Sequence, residues 1–175
     1  MNLGKLVSEA KNGSTAAQKC LFDELCGKML ATCFRYVKNQ EDAEELMLNG
    51  FFKFFQNLPE FIYQDEPGLF SYLKRIMVNE CLMFLRKKKV FTISADTLVA
   101  EIPIDEEALD RLTTEEIWEL VLQLPVGYRT VFNLNAIEGY NHSEIAAMTG
   151  ISVGTSKSQL SKARVLLQKM LTQKG

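Results

Sequence analysis

A chain of 175 residues, 47% of them hydrophobic, can bury the core of one ordinary domain or of two small ones, and is too apolar for a disordered chain. No apolar run reaches the ~18 residues of a membrane-spanning helix, and the N-terminus MNLGKLVSEAKNGS lacks the apolar segment of a secretory signal, so the protein is expected in the cytoplasm. The net charge of −2 joins opposed segments: residues 74–89 carry +5, residues 92–119 carry −8, and residues 151–175 carry +5 with no acid at all.

Helical periodicity dominates from the start. Leu21, Leu25, Met29 and Leu30, at three- and four-residue spacing, predict a long helix over 15–37. Cys20, Cys26, Cys33 and Cys81 form no close CxxC pair, and His142 is the one histidine, so they read as buried thiols rather than as a zinc site or a disulfide framework. A second helix begins near Asn39–Asp42, with acids in its first turn, and runs to about Asn57. Pro59 and QDEPG (64–68) mark a loop.

A third helix is predicted over 69–87. Leu69, Leu73, Ile76, Met77 and Phe84 make its apolar face, and Glu80 falls inside that arc without a partner that the sequence can name. Tyr72, Arg75, Asn79 and Arg86 fall within about 60° of one another on the other flank. A ring, an amide and two guanidiniums in one stripe suit an unpaired nucleic-acid strand, whose bases stack and whose backbone needs cations. The competing reading is a solvated helix face with a half-buried tyrosine.

From 89 to 105 the period fails and Pro103 intervenes, which reads as an acidic linker between domains. Helical signals return near Glu106 and stop at Pro125; another helix runs from about Val126 to Glu138 and ends at Gly139. Asn141, with Glu144 three residues on, caps the short helix SEIAAMT. Gly150 turns the chain and Ser152 caps the next helix. Ile145, Ala146, Met148, Ile151, Leu160, Ala163 and Leu167 form one apolar set across the pair, the pattern of a helix-turn-helix.

The second helix of that pair, GTSKSQLSKAR (154–164), is basic and hydroxylated where a core helix has no need to be. Gly154 and Thr155 suit close approach to phosphate at its start. Lys157, Ser158, Ser161 and Lys162 share or border the outward arc, Gln159 flanks it, and Arg164 can serve the backbone. Such side chains reach base edges in the major groove, so duplex DNA is the expected partner of this face. His142, at the start of the preceding helix, reads as a turn or phosphate-contact residue.

The stretch LPVGYRTVFNLNAIEGYNHSEIAAMTGISVGTSKSQLSKAR closely resembles the fourth domain of the extracytoplasmic-function (ECF) sigma factors of bacterial RNA polymerase. Upstream, DAEELMLNGFFKFF and LFSYLKRIMVNECLMFLRKKK resemble their second domain. The resemblance implies an all-α protein: a helical sigma domain 2 over 1–90, an irregular linker over 91–108 and a helix-turn-helix sigma domain 4 over 109–175. It implies contact with the polymerase core through Asp42, Glu44, Glu45, Asn49 and Phe51. Capture of the unpaired −10 strand falls to Tyr72, Arg75, Asn79 and Arg86. Reading of the −35 duplex falls to Thr155, Lys157, Ser158, Gln159, Ser161, Lys162 and Arg164. Core RNA polymerase and promoter DNA are the implied partners, an anti-sigma factor is a candidate third, and no cofactor is implied.

Where the family usually has Gln followed by an acid, this chain has Leu48-Asn49; the family's usual aspartate stands as Met83 and its usual tryptophan as Tyr72. No nucleophile–base pair, metal constellation or phosphate loop stands out, so no catalytic or metal set is assigned and an enzyme is not expected. Two other readings stay open: a stand-alone helix-turn-helix regulator, and a degenerate sigma-like adaptor with weakened core binding.

Overall fold

The structure, a computed structural model, describes residues 2–92 and 113–174, and these fold into helices joined by short turns with no strand among them, the all-helical class expected. The chain divides into two units, Met1–Phe84 and Leu85–Gly175. Among the described residues no helix is long and apolar enough to cross a membrane.

Unit 1 opens on α1 (Leu3–Lys11), an element the periodicity of the longer helices overshadows in the sequence. Asn2 caps it by accepting from the Lys5 amide at 3.0 Å, and Leu3, Val7 and Ala10 bury one face. In α2 (Thr15–Val37), capped by Ser14, the stripe Ala17, Leu21, Leu25, Met29, Cys33 and Tyr36 is buried at the spacing of one helical face. Its bounds are those the sequence predicts. Lys38 closes it in the left-handed conformation at φ 53°.

Asn39 caps α3 (Gln40–Asn57), with Glu41 and Asp42 in the first turn, where they meet the positive end of the helix. Leu46, Met47, Gly50, Phe51 and Phe54 turn inward. A methyl group on Gly50 would meet the Met77 sulfur, so the absence of a side chain lets α3 pack closely on the next helix. That helix, α4 (Glu66–Lys87), starts three residues before the predicted Leu69 because Asp65 accepts from the Gly68 amide at 2.7 Å, and Pro67 is tolerated in a first turn. Leu69, Leu73, Met77, Val78, Cys81, Leu82 and Leu85 are buried.

Glu80, which the sequence leaves unpartnered, is 7% exposed and takes the Lys53 ammonium of α3 as its ion pair. Of the thiols predicted to be buried, Cys33 and Cys81 are, whereas Cys20 is exposed and Cys26 is half-buried. The neighbouring Cys33 and burial together hold the Cys81 thiol well above its ordinary pKa.

In unit 2, residues 93–112 lie outside the described residues, and with them fall residues 93–108 of the linker predicted over 91–108 and the start of the helical signal predicted from Glu106. After a short 3-10 turn at Val90–Thr92, the next described helix there is α5 (Thr114–Gln123), opened by a reciprocal capping box between Thr113 and Glu116. Pro125 separates it from α6 (Val126–Phe132), and the Arg129 guanidinium, 5% exposed, ties the junction by donating to the Leu124 carbonyl at 2.9 Å. Instead of one helix reaching Glu138, the chain widens into a π-turn over Asn133–Ile137 before Gly139, at φ +79°, breaks it. The last pair, α7 (His142–Thr149) and α8 (Val153–Lys174), meets at Gly150 in the left-handed region at φ +77°. Of the apolar set expected across the pair, Ile145, Leu160, Ala163 and Leu167 are buried, whereas Ala146, Met148 and Ile151 are half-buried.

Candidate nucleic-acid interfaces

The helix-turn-helix is built by local capping. Asn141 accepts from the Glu144 amide at 2.9 Å while Glu144 reaches back to the Asn141 amide at 2.8 Å. Ser152 accepts from the Thr155 amide at 3.0 Å and donates its hydroxyl to the Thr155 side chain at 2.9 Å, which fixes where α8 begins. His142 is not turned to solvent: its Nδ1 lies 2.8 Å from the hydroxyl of Ser156, itself fully buried. The ring therefore bolts the first turn of α7 to the first turns of α8.

That leaves a smaller outer face on α8 than residue types alone suggest. Lys157 and Ser158 are exposed; Thr155, Ser161, Lys162 and Arg164 are half-buried on or beside that face. Gln159, expected to flank the reading face, is instead buried: its side chain lies 3.5 Å from the position a Cβ on Gly127 would occupy. The lack of a side chain on α6 opens the space that Gln159 fills, so it cannot reach a base edge. Val153, 38% exposed at the first position of α8, stands on the rim instead. With no acid anywhere in α8, this face is uniformly attractive to phosphate.

On α4, Arg75, Asn79 and Arg86 are all exposed and Tyr72 is half-buried. Tyr72 is not free on both faces: its ring stacks on Phe61, centroids 4.6 Å apart and 27° between planes, and sits 6.2 Å from Phe54. Next to Phe61, Ile62 projects into solvent at 78% exposure. The loop that carries it is pinned on both sides, by the Lys11 ammonium on the Phe61 carbonyl and by Tyr63 packed over Gly4 of α1.

The third cluster lies on α3. Glu44, Glu45 and Asn49 are exposed and Asp42 is half-buried. Phe51, expected on this surface, is 2% exposed and packs edge-on against Phe22 at 4.8 Å, inside the aromatic core with Phe54 and Phe55. One helical position, about 100°, separates it from Phe52, which is 65% exposed.

Comparison with known proteins matches both units. The family model for sigma-70 region 2 matches residues 21–90, and that for sigma-70, region 4 matches residues 114–167. The chain is 29% identical to the ECF RNA polymerase sigma factor SigW of Bacillus subtilis, with 98% of this chain and 97% of the relative covered. It is 30% identical to the RNA polymerase sigma factor SigZ of the same organism over 77% of this chain and 76% of that one. Among solved structures, the sigma factor RpoE in complex with the anti-sigma factor NepR from Bartonella quintana shares the fold at a TM-score of 0.51 and 23% identity, covering 88% of this chain and 96% of that chain.

Proposed function

The chain belongs to the ECF sigma factors of RNA polymerase, and from that premise we propose how its surfaces divide the work of initiation. Sigma domain 2, over 1–90, docks on core polymerase through Asp42, Glu44, Glu45 and Asn49 of α3 and holds the unpaired −10 strand on Tyr72, Arg75, Asn79 and Arg86 of α4. Sigma domain 4, over 109–175, reads the −35 duplex with Thr155, Lys157, Ser158, Ser161 and Lys162, while Arg164 serves the backbone. The acidic linker over 91–108 joins them and follows a path in the enzyme otherwise taken by nucleic acid.

In this reading the protein catalyses nothing itself. It is a dissociable cytoplasmic subunit whose binding energy favours melted promoter over duplex. Separating strands costs about 1.4 kcal/mol for each base-pair step, so stacking on Tyr72 and the cations of α4 must offset several steps. The observation that carries the proposal is the acid-free outer face of α8, set by two capping motifs in a helix-turn-helix and carrying exposed Lys157 and Ser158. An anti-sigma factor remains the candidate regulator, in keeping with the NepR-bound RpoE neighbour.

Run-off transcription tests it. Core polymerase supplemented with this protein is expected to initiate from a promoter of its own organism where core alone does not. A chain that binds core yet gives no specific transcript would instead be the adaptor; one that binds its DNA site tightly without core would be a regulator.

A further inference from the structure

On α3 two large apolar side chains are left in water one turn apart, Leu48 at 53% and Phe52 at 65% exposure. The fold does not use them, since the core side of the same helix is filled by Leu46, Met47, Gly50, Phe51 and Phe54. Residues four apart on a helix are neighbours, so the pair forms one ridge rather than two scattered contacts. Exposed Glu41, Glu44 and Glu45 lie one and two turns before it on the same face. The nearest cation along the chain, Lys53, is drawn into its ion pair with Glu80. An apolar ridge with a one-sided acidic border is the form of an interaction surface, and its charge selects a basic-rimmed partner.

We propose that Leu48 and Phe52 are the anchors by which α3 grips core polymerase, and that they enter an apolar cleft whose border is lined by Lys or Arg. The inference rests on the reading of α3 as the core-docking helix and adds the chemistry of that dock. Against the glutamine and acid that the resemblance implies at this point, this chain has Leu48-Asn49, so in this proposal apolar burial takes the place of a polar contact. The acids then serve mainly to steer the encounter, and the apolar pair slows release. Such a dock fits a polymerase whose own cleft is apolar at the matching point, which makes the pair a determinant of partner choice.

The test is equilibrium binding of the full chain to core polymerase of its own organism, at low and at high ionic strength. Phe52→Ala is expected to weaken binding on the order of 30-fold and Leu48→Ala about 10-fold, with similar losses at both salt concentrations. Replacing Glu44 and Glu45 by Gln is expected to slow association at low salt only. The double change Leu48→Gln and Asn49→Glu, which writes in the family's usual pair, weakens binding to this polymerase. All these side chains are exposed, and an unchanged helical circular dichroism spectrum and melting temperature verify that the variants fold. If the parent binds core and both alanine variants bind within about twofold of it, or if the Gln-Glu variant binds more tightly, the anchor assignment is wrong while the sigma reading stands. If the parent itself does not bind core, the reading of α3 as the docking helix fails, and the anchors with it.

Discussion

Glu80 sits on the apolar side of α4 with 7% of its surface exposed, a place where a lone carboxylate would be expensive. Lys53, on α3, makes that position tenable, and its own side chain keeps 45% exposure, so it neutralises the carboxylate while its stem remains partly hydrated. The pair matters beyond its own energy because it joins the helix of the acidic and apolar cluster to the helix of the Tyr72 stripe. Removing only the cation strands a buried charge, so Lys53→Met is expected to destabilise unit 1 by about 2 kcal/mol, less than for a fully buried pair because water reaches the lysine side. Adding Glu80→Leu to it should restore most of that loss, since an apolar pair of similar volume is often as stable as the ion pair it replaces. Urea denaturation of the single and double variants measures both effects. A double variant no more stable than Lys53→Met would mean that the carboxylate has a role other than as partner to this lysine.

Among the elements, the helix-turn-helix depends most on one backbone conformation. Gly150 holds φ +77°, and its amide donates to the Ala146 carbonyl at 2.9 Å, closing α7 so that Ser152 can open α8. No side chain blocks a Cβ there, so the cost of a substitution is conformational rather than steric. Gly150→Ala is expected to cost about 1 kcal/mol and Gly150→Asn less, since asparagine tolerates the left-handed region. Thermal unfolding should then show a midpoint several degrees lower for alanine, with asparagine between it and the parent; equal melting of all three would place no strain at this turn. This turn was legible in the sequence because a glycine between two caps has few other uses, and α2 and α3 were legible because their stripes repeat for several turns. The π-turn after Phe132 was not: it changes which carbonyl each amide reaches without changing the residue types that a helix selects. Phe51 and Phe52 are alike in chemistry, so only the packing against Phe22 decides which one faces inward. Gln159 and Ser156 look outward by type, and what buries them lies elsewhere in the chain, the missing side chain of Gly127 and the ring of His142. Capping and period are local and can be read along a sequence; the fit of one helix's surface to another's is not.

For the whole molecule the division of charge sets how it meets DNA. A chain with a net charge of −2, whose cations gather in residues 74–89 and 151–175, offers only a few of them to any one duplex. Lys157 is exposed, and Lys162 and Arg164 are half-buried, so the reading face of α8 offers the duplex on the order of three cations, and binding by the free protein should fall with a salt slope no steeper than about −3 on a double-logarithmic plot. A protein that makes about 6–10 such contacts binds with a far steeper salt slope, and the described outer face of α8 does not carry that many cations. The free protein is therefore expected to bind promoter duplex weakly and with little sequence preference, acquiring specificity when core polymerase presents both reading surfaces to one promoter. Fluorescence anisotropy of labelled promoter across a salt series, with and without core, measures this directly. In the same assay Lys157→Ala and Lys162→Ala should each lower promoter-specific binding and initiation by the complex while leaving the affinity for core unchanged. Tight, salt-resistant, specific binding by the isolated chain would contradict the need for a second surface, and a loss of core affinity in either lysine variant would mean that α8 faces the enzyme rather than the DNA.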